Sequence, residues 1–315
     1  MFDIKKPSKK QIYNVAGNVL YKVFRFVFLL GISYIMLYSV LKLISEAFAV
    51  QSEYEMQIYE WIPEKLTFTN FQLALHNFPY LEKLKITIFI SGVSTIIQLL
   101  ICSFAGYGLA KFPFKGNGIV FVMVIMVIVF PVSSYYIPLY LEYRFFDFFG
   151  IGELLGLFLG KPLTVNLLNT YWVYFLPALF GMGLSSGLFI FIFRQFFKGI
   201  PKELEEAARV DGCNAVSTYF RIVIPNAVPV FVTVALLSMI FYWNDNTIGD
   251  MFMSNLEKSP IISFIGNFMF ISWSAIGSEM QMKAALLMAI APMIILFIIG
   301  QKFFIECLDR SGIKG

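Results

Sequence analysis

The chain has 315 residues, 58% of them hydrophobic and only 14% charged, with a mean hydropathy of +0.75; soluble domains carry roughly 25% charged residues. That balance excludes an ordinary soluble domain and points to an all-α, polytopic membrane protein. A net charge of +4 makes no electrostatic case for nucleic acid, so the placement of the charges says more than their sum.

Lys5, Lys6, Lys9 and Lys10 precede a long apolar run, a pattern shared with secretory signals. The run continues past signal length without a small-residue cleavage site, which predicts an uncleaved first span at Val23–Leu43 with Arg25 and Lys42 reaching to opposite surfaces. A crossing helix needs about 20 mostly apolar residues. Charge-free intervals at Ile86–Ala110, Gly116–Leu141, Pro162–Phe193 and Ile222–Asn244 meet that length, and Ala284–Gln301 makes a shorter sixth. Ser259–Ser278 is also uncharged, but a seventh span would export the basic C-terminus. Six spans keep both termini inside and sort Lys and Arg as 16 inward against eight outward, so the positive-inside rule favours six. Ser259–Ser278, with Asn267, Ser272 and Ser274, then reads as a re-entrant or surface-lying segment.

In this topology the loop at 44–85 lies outside. So does an insert near 142–170, "FFDFFGIGELLGLFLG", which reads as an interfacial helix in competition with a binding site. Residues 200–221 fall on the cytoplasmic side. Cys102, Cys213 and Cys307 stand far apart, which supports neither a zinc site nor a disulfide framework.

An enzyme reading must find its groups. "GLSSG" at 183–187 matches G-x-S-x-G with Ser185 as nucleophile, but that elbow needs a strand-to-helix turn and a histidine. Here it falls within a hydrophobic helix, and the single histidine, His76, lies in the first outer loop. Gly183 and Gly187 are equally a small-residue pair for close helix packing. No phosphate-cradling G-x-x-x-x-G-K-[ST] loop is present, and no catalytic or metal-binding residues are assigned. An ion-coupled carrier ordinarily keeps ionisable groups within its spans; these intervals hold none, and Asp245 and Asp250 lie at the outer end of the fifth.

The passage "IPKELEEAARVDGCNAVSTYFRIVIPNAVP" at 200–229 is the polar exception. Pro201 suits a first helical turn, Glu203, Glu205 and Glu206 favour its positive end, and Glu205–Arg209 has the spacing of an i,i+4 pair. Leu204 and Ala208 supply a small apolar face. Gly212 after Asp211 is a left-handed-compatible stop, Asn214 can cap a second helix, and Pro225 marks entry to the fifth span.

Glu206-Ala207-Ala208, Gly212 and Ile222-Val223-Ile224-Pro225 resemble the E-A-A signature of type I ABC importer permeases, E-A-A, three residues, G, nine residues, I-x-L-P, with Ile224 replacing Leu. "SFAGYGLAKFPFKG", "IPLY" at 137–140, "FYWND" at 241–245 and the closing "GQKFFIECLDRSGIKG" extend the likeness over roughly 62–315. It is most similar to the second permease of maltose-type and other oligosaccharide importers. Glu306 and Cys307 stand where a glycine is common in that family, and the outer insert is longer than usual.

The resemblance implies a six-span type I permease fold. A tail, first span and outer loop occupy 1–84, a permease domain 85–305, and a cytoplasmic tail 306–315. It also implies carbohydrate import across a prokaryotic plasma membrane, with a second, different permease, two ATPase subunits and an external solute-binding protein as partners. ATP and Mg would sit on the ATPase, and this chain would hold no cofactor. Leu204, Glu206, Ala207, Ala208, Asp211, Gly212, Ile222 and Pro225 would form the ATPase-coupling loop. Ser133, Tyr135, Tyr136, Trp243, Asn244 and Asp245 are candidates for the substrate pathway, with interfacial anchoring as the competing role of the aromatics. A non-sugar solute such as a polyamine or phosphate, an ion-coupled carrier and an intramembrane serine hydrolase are the alternatives.

Overall fold

The computed structural model describes residues 9–50, 52–53, 61–130, 135–272 and 279–311. The chain divides into two compact units, residues 1–76 with 277–287, and residues 77–276 with 288–315.

In the first unit, α1 (Lys9–Phe48) is longer than the predicted Val23–Leu43 span. Its apolar side chains are exposed on every side from Val19 to Leu41, the pattern of a helix solvated by lipid rather than by its own chain. Its C-terminal end is held by α2 (Thr69–Asn77): buried Asn70 donates from Nδ2 to the carbonyls of Ala47 at 2.9 Å and Ala49 at 2.8 Å. Glu46 accepts an ion pair from Lys283 at 3.1 Å.

The second unit is organised around α3 (Tyr80–Lys111), which packs along α8 (Ser186–Lys198), α11 (Val228–Trp243) and α7 (Trp172–Leu179). Its sequence reads as simply hydrophobic, yet one stripe is polar and buried: Lys83, Thr87, Ser91, Ser94, Thr95, Gln98 and Ser103. Steps of three and four residues keep Lys83, Thr87, Ser91, Ser94 or Thr95, and Gln98 on one helical face, and Ser103, five residues further on, turns towards Tyr219. Gln98 joins three elements there. Its Nε2 donates to the Leu184 carbonyl at 2.7 Å and to Ser186 Oγ at 2.8 Å, and its Oε1 accepts from Ser238 at 2.7 Å. At the far end, Lys83 donates to the Leu256 carbonyl and, at 2.6 Å, to that of Glu257.

Several charge-free intervals are not continuous helices. Gly116–Leu141 holds α4 (Asn117–Val129) and the start of α5 (Tyr136–Arg144), with Phe130 extended between them. Pro162–Phe193 holds α7 and most of α8, separated by left-handed Gly181 (φ 69) and Ser185 (φ 57) and preceded by Pro177. The fifth interval bends by 81° between α10 (Ala215–Asn226) and α11. The last helix, α14, extends over Glu279–Ser311. Among the described residues, three helices are long and apolar enough to cross a bilayer by themselves, or four with the bent pair as one span. Absence of charge measures hydrophobicity; it does not record where backbone torsions interrupt the helix.

The insert near 142–170 contains a nine-residue helix, α6 (Ile151–Leu159), with Leu154, Leu157 and Phe158 exposed. A short helix, α12 (Thr247–Phe252), follows α11, and α13 (Ile261–Ser272) occupies the seventh uncharged interval. At twelve residues, α13 is shorter than the about 20 that a crossing needs. Its first turn is fixed to α3, where Thr87 Oγ accepts the Ile261 N–H at 2.8 Å.

"GLSSG" spans the turn ahead of α8 and the first two residues of that helix rather than lying wholly inside one, with Ser185 exposed and left-handed at the helix entrance. That corrects the expected placement. A Cβ on Gly187 would stand 3.0 Å from the Val124 carbonyl, so the glycine admits α4 against α8. His76 lies in the last turn of α2, in the other unit.

Candidate functional site: a two-faced polar helix

The polar passage folds into α9 (Lys202–Val210), a turn, and α10. Pro201 stands at the N-cap, one position before the first helical residue, with φ −54. Two expectations about α9 change. Glu205 turns away from Arg209 into the protein and pairs with Lys111 at 2.9 Å, with both side chains almost fully buried. Leu204 and Ala208, one turn apart, do not form a single buried apolar face: Leu204 at its edge is 42% exposed, whereas Ala208 is 4% exposed. A partner brought close by the fold wins over the surface i,i+4 pair, because exposed pairs on a helix contribute only about 0.3–0.5 kcal/mol.

Glu205 and Ala208 therefore form the inward face. Glu203, Glu206, Ala207 and Val210 form the outward one, and Val210 is 87% exposed. An exposed face mixing two carboxylates with small apolar groups is suited to an apolar groove edged by cations.

Helix α9 ends as its sequence indicates. Asp211 is the C-cap, and Gly212 adopts φ 82. The Gly212 N–H donates to the Arg209 carbonyl at 3.0 Å and that of Cys213 to the Ala208 carbonyl at 2.9 Å, the paired bonds of a Schellman ending. Asn214 then caps α10, its Oδ1 accepting the Ser217 N–H at 2.8 Å.

Inside α10, residues Tyr219–Val223, including Ile222, form a π-turn. Tyr219 and Val223, four residues apart on one side of it, both face inward, and Tyr219 Oη lies 2.7 Å from Ser103 Oγ of α3. Pro225 is exposed near the end of α10. The 81° change of direction into α11 comes at Ala227, two residues past the entry expected from Pro225.

The pathway candidates separate. Ser133 lies outside the described residues. Trp243 is 1% exposed and its indole N–H donates to the Ala289 carbonyl at 3.0 Å, so it is a core residue holding α11 to α14. Residue type alone makes it a pathway candidate, and type does not reveal which way a ring faces. Asn244 is exposed, with its amide on the Ile240 carbonyl at 3.0 Å. Tyr135 and Tyr136 are adjacent, ring centroids 5.8 Å apart, and Tyr136 lies close enough to feel the charge of Asp245 and to hydrogen bond Thr247.

Asp245 accepts the Ile248 N–H at 3.1 Å and the Tyr174 hydroxyl at 3.4 Å. Burial outweighs these bonds and raises its pKa to about 6, with nearby Asp250 adding to the rise. The folded protein thus binds this proton more tightly than the unfolded chain, so ionisation opposes folding as pH rises from about 4 to about 6. Asp245→Asn should raise the melting temperature at pH 8 by a few degrees and change it less at pH 4. Equal shifts at both pH values, by scanning fluorimetry, would contradict that.

Residues 86–311 match the family model for binding-protein-dependent transport system inner membrane components. The arabinooligosaccharides transport system permease AraQ of Halalkalibacterium halodurans is 29% identical, over 73% of this chain and 72% of its own. The melibiose/raffinose/stachyose import permease MelC of Bacillus subtilis is 28% identical, over 81% and 84%. Among solved structures, a chain of a bacterial ABC transporter involved in the import of the acidic polysaccharide alginate superposes with a TM-score of 0.67. It is 22% identical, over 95% of this chain and 99% of that one.

Proposed function

This chain belongs to the binding-protein-dependent transport system inner membrane component family, and on that premise we propose that it is the membrane-spanning half of an ATP-driven importer of an oligosaccharide. The cargo class is supported by relatives whose names specify arabinooligosaccharides and melibiose, raffinose and stachyose. A second permease completes the pathway, an external solute-binding protein delivers the sugar, and two ATPase subunits bind ATP and Mg on the cytoplasmic side. Six segments cross the bilayer, with both termini inside, as the distribution of Lys and Arg favours.

The observation that carries this reading is the division of α9 into a face packed on its own chain and a face left outward, closed by a left-handed glycine. The outward Glu203, Glu206, Ala207 and Val210 enter a groove on the ATPase, with Leu204 at the rim. Ala208, also among the coupling-loop residues, is buried and supports the helix from behind. Closure of the ATPase pair on nucleotide displaces α9, and the difference in its docking free energy between the two states shifts the permease between inward- and outward-facing forms. Tyr135, Tyr136, Asn244 and Asp245 remain the pathway candidates, near the end of α11 away from α9, together with Ser133, which lies outside the described residues.

Glu206→Lys tests the docking. The variant should reach the membrane at wild-type levels, because Glu206 is exposed, while ATP hydrolysis stimulated by sugar-loaded binding protein falls to background. Normal coupled uptake by this variant would refute the assignment, and uptake of phosphate or spermidine in place of any sugar would refute the cargo class.

A further inference from the structure

Lys111 and Glu205 meet where two helix ends face one another. Lys111 is the last residue of α3, where the helix dipole favours a cation, and Glu205 lies in the first turn of α9, where it favours an anion. Their charged atoms are 2.9 Å apart with both side chains almost fully enclosed. The Lys111 ammonium also donates to the Ile200 carbonyl at 2.8 Å, so it grips the chain on both sides of Pro201. Tyr107, one turn back on α3, packs edge-on against Phe197 at 5.8 Å and lies 5.1 Å from the Tyr219 ring. The ends of α8, α9 and α10 thus close around the end of α3.

We propose that the Lys111–Glu205 pair is the tether through which movement of the docking helix α9 is transmitted to α3, making both residues positioning residues for transport. The proposal rests on the docking of α9 to the ATPase described above. Apolar packing alone allows α9 to slide over its support at little cost. An enclosed ion pair resists separation, because parting it leaves uncompensated charges in a poorly solvated place. What α3 receives it can pass on, since Ser103, Gln98 and Thr95 bond it to α10, α8 and α11. One latch at its cytoplasmic end therefore connects the outward face of α9 to the centre of the bundle.

The test uses the complete complex, with ATPase, second permease and binding protein, in proteoliposomes. The cargo is whichever of arabinotriose, raffinose and an alginate oligosaccharide the wild-type complex takes up fastest. Lys111→Met should keep the ATPase bound and lower sugar transported per ATP hydrolysed at least tenfold; Lys111→Arg, which restores the pair, should return within twofold of wild type. The double variant Lys111→Met with Glu205→Met leaves no charge stranded, so it also serves if the single variant fails to accumulate, and it should be uncoupled to the same degree. Unchanged sugar per ATP in either Met variant would overturn the tether. Loss of bound ATPase from the double variant would overturn it too, because the pair would then shape the docking surface rather than transmit its movement. Glu206→Lys separates the two ideas: full coupling there would remove the docking premise, whereas loss of coupling there with normal coupling in Lys111→Met would remove only the tether.

Discussion

Gly106→Leu is expected to abolish accumulation of the chain in the membrane. A Cβ at this position would stand 2.6 Å from the Phe193 Cβ, 3.0 Å from the Arg194 backbone nitrogen and 3.2 Å from the Ile190 carbonyl. Two of these three neighbours are backbone of α8, so no side-chain rotation relieves the clash. Membrane helices associate through close packing rather than through expulsion of water, so helices forced apart at a crossing recover no hydrophobic gain elsewhere. Separating α3 from α8 would also strain the Gln98–Ser186 and Gln98–Leu184 bonds, leaving buried polar groups unpaired at roughly 1–3 kcal/mol each. Gly106→Ala should give a graded result, a loss of about 1–3 kcal/mol as typical of overpacking. Immunoblots of the membrane fraction and melting curves in detergent measure both, and a stable Leu variant would mean that α3 and α8 do not cross as described.

Gly212→Pro is expected to spare insertion and remove coupling. Gly212 holds φ at 82, whereas proline is confined near −65. The substitution also removes the N–H that bonds the Arg209 carbonyl. Asp211, at φ −75 and ψ 7, would in turn be pushed out of its near-helical conformation by the following ring. The end of α9 would be remade, and with it the orientation of Val210 and Ala207. Asp211 and Gly212 are exposed, so the membrane core has no direct stake in the change. ATP hydrolysis stimulated by loaded binding protein should fall about a hundredfold, equivalent to roughly 2.7 kcal/mol, at unchanged membrane levels. Gly212→Asn, which tolerates the left-handed region, should stay within a few-fold of wild type. A fully active proline variant would show that the left-handed turn is not needed for coupling.

The ends of α9 are readable in the sequence because they depend on local chemistry. Gly212 and Asn214 act on backbone groups within a few residues of themselves, and the family resemblance rested on the same stretch. Glu205 shows where local reading stops. Its spacing from Arg209 is a sound surface pair, but Lys111 arrives from the end of another helix, and nothing near Glu205 announces it. The polar stripe on α3 is an intermediate case, since the spacing of Thr87, Ser91, Ser94, Gln98 and Ser103 is visible in the chain. Its partners on α8, α10 and α11 are not.

Composition and charge placement alone establish a membrane-embedded helical chain, because the bilayer acts on totals: apolar length and the side on which cations lie. The spacing around Glu206 and Gly212 likewise gives the family, since a helix stop and a cap are written in adjacent residues. Which faces are spent inside the protein was decided by packing. Trp243 became core, Ala208 became the support of α9, and Glu205 left its helical neighbour for Lys111. Torsions at Gly181, Ser185 and Ala227 interrupted intervals that hydrophobicity alone made continuous. These outcomes depend on which distant segments come within a few ångströms of each other, a relation that a linear sequence holds only implicitly.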